Sequence, residues 1–450
     1  MFSILRRVFS NKVLWFFILV LVGGYFRIVA IQETRIDRPI RADAQDYYLS
    51  AYNLARNGIY SRSLGNLVNP PREVIPDSYR PPGLPLIIAL FMDLWPRHDQ
   101  IMWRVQLVNV ALGVVVVLAI FLCAALVLPL PAAIAVGLLT AASPHLISMT
   151  VYILTETPAA FFIALLLALT AIGIPENHRA KSLLFLALGT TVGCLSLFRP
   201  VYVAFAPALA LVFPGRQNKV QAAILGCMGA ALIVAPWFIR NLLDVPAGSS
   251  PSVVTATILE GSYRGYVFNG IASTFPYGAR YDPMFPLLEK DFIGTLKFVS
   301  NKIALDPLGM MKWYFIEKPI YLLQWSNIDG VGDVFVYPIF SSPFRDNALF
   351  GAIHQLFYYT HAIVLWLAIL GCVLPWTPIA RRLRPELQIV LRMAGALLIF
   401  HYLIHLPFVN VGRYSVPMLP IIFFLAVSSI VVLLEFGQSH LRSGVNQQNL

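Results

Sequence analysis

The sequence predicts an all-α polytopic membrane protein with about ten transmembrane helices, and three observations carry that reading. Of 450 residues, 58% are hydrophobic and only 12% charged. The apolar residues fall in runs of about 20, the length that crosses a bilayer core at 1.5 Å per residue, and not in amphipathic stripes. The net charge of +11 comes from short basic clusters between those runs. That is the pattern of cytoplasmic loops, so no nucleic-acid partner is implied. Cys123, Cys194, Cys227 and Cys372 all lie inside apolar segments, with neither a disulfide framework nor a metal-ligand spacing.

Arg6, Arg7 and Lys12 precede the first apolar run, 13–31, which lacks a small-residue cleavage site and reads as an uncleaved anchor with a cytoplasmic N-terminus. An exterior loop over 32–101 follows. In it, Tyr47, Ala51, Leu54 and Ala55 recur at helical spacing with Gly58 behind them, which predicts an amphipathic helix lying along the membrane surface. Arg80-Pro81-Pro82-Gly83 then leads into an apolar stretch, 83–95. Its roughly 13 residues reach only about 20 Å, too short for a core of about 30 Å, so it is interfacial or re-entrant. Counting it as a span would invert everything downstream and put all three later basic clusters, Arg179 with Lys181, Arg216 with Lys219, and Arg381 with Arg382 and Arg384, outside. Leaving it out puts all three clusters inside, as the charge bias requires.

Further spans are expected near 102–124, 131–148, 157–173, 182–198, 200–214, 219–239, 352–375, 388–406 and 414–435. The stretch 241–350 is rich in Pro, Gly, Tyr and Asp, has no sustained helical period, and reads as a partly folded exterior segment built on the helices. The chain therefore divides into a transmembrane module over 1–240, an exterior segment over 241–350, and C-terminal helices with a cytoplasmic tail over 351–450. The repeat symmetry expected of many transporters is not visible.

On this topology Asp43, Asp46, Glu156, Arg199, Arg240 and Arg413 all fall at exterior helix ends or in exterior loops, against the local charge bias. Charges at such places are costly and mark candidate functional sites. Each also has a plainer role open to it. Asp43 is placed to cap the surface helix. Glu156, before an apolar run, is favoured by the dipole of the helix it starts, or else it needs a cation. A lone arginine often snorkels to headgroups, but arginine also binds phosphate bidentately at any physiological pH, and three at one interface favour a phosphate-bearing lipid. Arg80-Pro81-Pro82-Gly83 serves equally as a structural turn, and His145 reads as a satisfied polar residue.

The order of these motifs resembles the GT-C superfamily of membrane glycosyltransferases, in the branch of protein mannosyltransferases and lipid A aminoarabinose transferases. The resemblance rests on Asp43-Ala44-Gln45-Asp46-Tyr47, Arg80-Pro81-Pro82-Gly83, Thr155-Glu156, Arg199-Pro200, Pro236-Trp237 through Arg240-Asn241, and Arg413-Tyr414 with Pro417, and it runs from about residue 13 to 435. One motif departs: the family's frequent Asp-Glu pair reads Asp43-Ala44 here. That leaves open a divalent metal, the acceptor, and whether Asp46 stands in for the missing acid.

The resemblance implies a sugar donor on a polyprenyl phosphate and transfer with inversion to a glycan, lipid or protein acceptor at the exterior face, while compact loops and the lack of N-terminal targeting features point to a bacterial inner membrane, with the site facing the periplasm. It implies Asp43, with Asp46, as the group that deprotonates or positions the acceptor. Glu156 would orient acceptor or sugar, and Arg413, Tyr414, Arg240, Arg199, Tyr47 and Arg80 would bind substrate. Arg413 is the first choice to meet the leaving phosphate. Two other readings fit the same composition: a glycan polymerase or ligase using a lipid-linked donor, and a lipid or solute transporter. The latter calls for midplane charges and repeat symmetry, whereas these charges gather at one face.

Overall fold

The computed structural model describes residues 2–92, 98–173, 178–246, 253–265, 282–325 and 334–448. The chain is a helical bundle, with one two-stranded ribbon among the described residues. The helices are α1 (Phe2–Glu33), α2 (Ala42–Asn57), α3 (Gly83–Met92), α4 (His98–Val127), α5 (Leu130–Ala142), α6 (Pro144–Ser148), α7 (Glu156–Ile172), α8 (His178–Ser196), α9 (Phe205–Ala208) and α10 (Arg216–Asp244). After them come α11 (Val253–Gly261), α12 (Phe285–Leu288), α13 (Phe292–Leu305), α14 (Pro307–Lys312), α15 (Lys318–Leu323), α16 (Pro343–Asp346), α17 (Ala348–Val373), α18 (Pro385–His405) and α19 (Leu419–Gln448).

Helix stands at all ten places where a span is expected, but among the described residues only six stretches are long and apolar enough to cross a membrane: Lys12–Glu33, Asp99–Val127, Arg216–Asp244, Ala348–Trp376, Pro385–His405 and Gly412–Phe436. The other four differ for identifiable reasons. The run over 131–148 breaks between α5 and α6 with a 47° bend, at Ser143-Pro144, and gives a seventh span if the pair is counted as one. α7 has 17 residues and lies inside the bundle, where length need not match lipid. The apolar part of α8, Ala180–Ser196, is as short. The stretch over 200–214 forms three short turns, Pro200–Ala204, α9 and Leu209–Leu211, interrupted by Pro207.

α4 is the central helix, packed on α1, α5 and α7. α8 and α10 approach until a Cβ on Gly189 would run into the Gly226 carbonyl, the small-residue contact that lets membrane helices pack backbone to backbone. Over one end of this bundle lies α2, which ends at Gly58 in the left-handed conformation (φ 66°), as the sequence leads one to expect. α3 has ten residues, about 15 Å of rise and half a bilayer core.

The described parts of 241–350 are mostly helical. Asp291 caps α13 by accepting from the Gly294 N–H, and Asp306 caps α14 by accepting from Gly309. Helices this short and this often interrupted carry no long period. This segment is tied to the first loop: strand β1 (Arg35–Ile36) pairs antiparallel with β2 (Ile339–Ser341), the Asp37 N–H donates to the Pro338 carbonyl, and the Tyr337 hydroxyl donates to the Arg41 carbonyl. The backbone just before Asp43 is thereby fixed.

Candidate active site

Asp43 lies in the first turn of α2, where Arg41 is the N-cap and makes no side-chain cap bond. The Asp43 carboxylate therefore does not cap the helix. One oxygen accepts from Arg80 Nη2 at 2.6 Å, and the other from Arg413 Nη2. Arg80 also spans to Asp46, with Nε and Nη2 at 2.9 and 2.8 Å from Oδ2. On the inner side, Arg199 Nη2 donates to Glu156 Oε1 at 2.7 Å, and Arg413 Nε lies 3.7 Å from the same oxygen. Arg413 is the link between the two carboxylates. Three guanidiniums and three carboxylates thus interlock into a cluster with no net charge.

Each member is delivered by a local feature of the sequence. Arg80 is held by the turn behind it: the Tyr60 hydroxyl donates to the carbonyls of Arg80 and Pro81, and the Gly83 N–H donates to the Leu197 carbonyl, two residues before Arg199. Glu156 is the first residue of α7, so the helix dipole favours its charge while Arg199 and Arg413 meet it, and both sequence readings apply together. Arg413 sits in the 3-10 helix Gly412–Met418 that leads into α19. Tyr47 and Tyr414 lie against the cations, with the Arg80 guanidinium 5.3 Å from the Tyr47 ring centre and Arg199 4.8 Å from that of Tyr414.

Arg240 stands apart. It donates to the carbonyls of Asp77 at 2.7 Å and Tyr60 at 2.9 Å, and its guanidinium lies 5.3 Å from the Trp237 ring centre. In this arrangement it is a strut from α10 to the first loop. His145 packs on Trp325, ring centres 4.1 Å apart, outside the cluster.

Several neighbours were not singled out from the sequence. Arg62 and Asp77 extend the outer edge, with Arg62 3.7 Å from Asp77, 3.9 Å from Asp46 and 3.5 Å from the centre of the Tyr79 ring. Arg27 is fully buried in α1, where it donates to the carbonyls of Gly23 and Ala141. The rule that flags a charge within an apolar run finds Arg27 as readily as Glu156. Beneath Arg199 and Tyr414, the Tyr202 hydroxyl pairs with His401 Nδ1 at 2.8 Å, and His405 Nδ1 donates to the His401 carbonyl. His401 and His405, four apart on α18, share a face, which is the signal that could have found them.

Burial opposes ionisation of Asp43, but the charges of Arg80 and Arg413 and their hydrogen bonds outweigh it and hold its carboxyl well below the usual carboxylate range. Burial likewise opposes the charge on Arg80, and Asp43 and Asp46 restore it. With Asp43, Asp46 and Glu156 each engaged by arginine, and no group of three or more His, Cys, Asp or Glu converging among the described residues, the side chains present do not fit a divalent metal. The cluster can instead exchange anions: a phosphate, which accepts from guanidiniums as a carboxylate does, competes with Asp43 for Arg80 and Arg413.

Residues 79–239 match the family model of dolichyl-phosphate-mannose-protein mannosyltransferases, a segment that contains Arg80, Glu156 and Arg199 and stops one residue short of Arg240. Among similar solved structures is the oligosaccharyltransferase of Archaeoglobus fulgidus tethered with an acceptor peptide containing the NVT sequon. It is 14% identical with a TM-score of 0.51, the likeness covering 96% of this chain and 50% of that one. The same organism's oligosaccharyltransferase AglB, in complex with an inhibitory peptide and a dolichol-phosphate, is 14% identical with a TM-score of 0.50, covering 97% of this chain and 52% of that one. ArnT from Cupriavidus metallidurans, in the apo state, is 14% identical with a TM-score of 0.48, covering 93% and 59%. The chain spans about half the length of the oligosaccharyltransferase it resembles. No curated protein matches it. At these identities the likeness is one of fold: the chain shares the fold of the part of the Archaeoglobus fulgidus oligosaccharyltransferase that it covers.

Proposed function

We propose that this chain is an integral-membrane glycosyltransferase of the GT-C type that moves a sugar from a polyprenyl-phosphate donor to an acceptor hydroxyl at the exterior face, with inversion at the anomeric carbon. The observation that carries the reading is Asp43 held between Arg80 and Arg413, a potential base flanked by cations suited to a lipid phosphate. The family match over 79–239 and the dolichol-phosphate bound by AglB support it.

The chemistry follows from that geometry. When the donor phosphate takes up Arg413 and Arg80, Asp43 loses the charges that depress its pKa and becomes a better proton acceptor. The acceptor oxygen forms its bond to the anomeric carbon, the bond from that carbon to the phosphate oxygen breaks, and the acceptor proton passes to the Asp43 carboxylate. The polyprenyl phosphate leaves with both electrons of the broken bond, and its growing charge is met by fixed guanidiniums. Asp43 and Asp46 are about a quarter exposed, at 26% and 23%, and can be reached by an acceptor, whereas Glu156 is 2% exposed. Asp43 alone of the two also touches Arg413, so we assign it as the base and give Asp46 the task of holding Arg80. Glu156 holds Arg199 and Arg413 in place from below.

The test is turnover in liposomes with polyprenyl-phosphate sugars, reading the anomeric configuration of the product. Transfer with inversion supports the reading. Retention, or no transfer from any such donor, overturns it.

A further inference from the structure

Lys318 lies in the exterior segment, far in sequence from any residue of the cluster, yet it is fully buried. It follows a π-helical turn, Trp313–Glu317, inserted between α14 and α15. The wider turn brings Trp313 and Lys318, five residues apart, to the same inner side, which an ordinary α-helix would not do. Both then reach backbone. Lys318 Nζ donates to the Leu406 carbonyl at 2.7 Å and to the Phe408 carbonyl at 2.8 Å, and the Trp313 indole N–H donates to the Gly261 carbonyl at 2.9 Å. The Tyr314 ring covers the ammonium, its centre 4.3 Å from Nζ.

The carbonyls Lys318 holds belong to the turn between α18 and the 3-10 helix Gly412–Met418, the turn from which Arg413 reaches the site. α11 grips the same turn from another side. The Val409 N–H donates to the Thr257 carbonyl at 2.8 Å, and Gly261 lies so close that a Cβ there would stand 2.6 Å from the Phe408 oxygen. α15 itself packs on Gly412–Met418. A buried lysine is costly to hold, and a purely structural contact would be met more cheaply by an apolar side chain, except where carbonyls that no helix or strand satisfies need a donor.

We propose that Lys318 is the positioning residue for Arg413: by holding the Leu406 and Phe408 carbonyls it fixes the turn that delivers the guanidinium to Asp43 and to the donor phosphate. The phosphate half of this rests on the function proposed above, and the positional half does not. Burial pushes the Lys318 pKa down to about 7. The ammonium has three donors and the amine two, so both forms serve two carbonyls and the latch does not depend on which is present.

Lys318→Met keeps the length and removes the donors. It is expected to speed hydrogen–deuterium exchange across 406–418 and to weaken binding of a polyprenyl phosphate in micelles by roughly tenfold. In the Arg413→Ala background the same substitution is expected to change that binding little, because the residue it positions is gone. Gly261→Ala, which pushes on the Phe408 carbonyl, is expected to reproduce both effects and serves if Lys318→Met does not fold. Unchanged exchange over 406–418 in the variants overturns the latch. Faster exchange with equal loss of binding in both backgrounds overturns its link to Arg413. If no form of the protein binds polyprenyl phosphate, the proposed function fails and exchange alone decides the latch.

Discussion

The outer half of the ion-pair cluster, Asp43, Asp46 and Arg80, is carried by a surface helix and a loop, whereas the inner half, Glu156, Arg199 and Arg413, is wedged between helix ends. The Glu156 and Arg413 side chains keep 2% and 6% of their exposure, against 26% for Asp43. Interior charges repay their desolvation only through fixed partners, so the inner half serves as a permanent electrostatic frame. Partly open charges exchange partners at small cost, so the outer half is where substrate can intervene. Arg413 belongs to both, touching Asp43 on one side and Glu156 on the other.

Separating the halves by mutation sharpens this contrast. Asp43→Asn keeps size and some hydrogen bonding but cannot take a proton, and its turnover with a polyprenyl-phosphate sugar is expected to fall roughly a hundred- to ten-thousand-fold while donor binding is retained or tightened, since the anion that competes for Arg80 and Arg413 is gone. Asp46→Asn is the control, with a loss of about tenfold or less, as for a partly exposed ion pair. If Asp46→Asn is the dead variant and Asp43→Asn is active, the base is Asp46 and the assignment is reversed. In the inner half, Glu156→Ala leaves Arg199 buried without its carboxylate. A loss of about 3–5 kcal/mol of stability is expected, read as a large drop in thermal midpoint in detergent. A midpoint within error of the parent would mean that the frame is not a frame. Arg413→Ala should fall between these two kinds of effect, with donor affinity weakened roughly ten- to a hundredfold and turnover reduced further, because the contact exists in the ground state and tightens as the phosphate leaves.

The same contrast explains what could be read from the chain alone. The bundle and the surface helix were legible because their signals are local: apolar runs, the spacing of Tyr47, Ala51, Leu54 and Ala55, and Gly58 behind them. The meeting of Asp43, Arg80, Glu156, Arg199 and Arg413 was legible only as a shared membrane face, since sequence gives depth in the bilayer but not which helix ends adjoin. The part played by Arg240 was not legible. An arginine after Pro236-Trp237 looks the same whether it faces a phosphate or, as here, the carbonyls of Tyr60 and Asp77. Nor was the bend at Ser143-Pro144 read from a run apolar enough to pass for one straight span. Lys318 escaped because a π turn shifts the register that a helical period assumes.

The smallest effect expected concerns pH. Asp43 has a folded pKa below its unfolded value of about 3.9, because Arg80 and Arg413 outweigh the opposing effect of burial. Stability from such a group is fully present above the unfolded value and is lost only as pH falls through the folded one. The difference in thermal midpoint between the parent and Asp43→Asn should therefore be flat from pH 8 to pH 5 and begin to narrow only below about pH 4. A saturating polyprenyl phosphate changes the expectation. By drawing the arginines to itself it raises the Asp43 pKa toward the unfolded value, so with ligand present the difference between pH 5 and pH 8 should be smaller and its loss complete at higher pH than without. If ligand leaves the difference unchanged across this range, phosphate does not compete with Asp43 for Arg80 and Arg413. The exchange of partners at the outer edge would then have no part in activating the base.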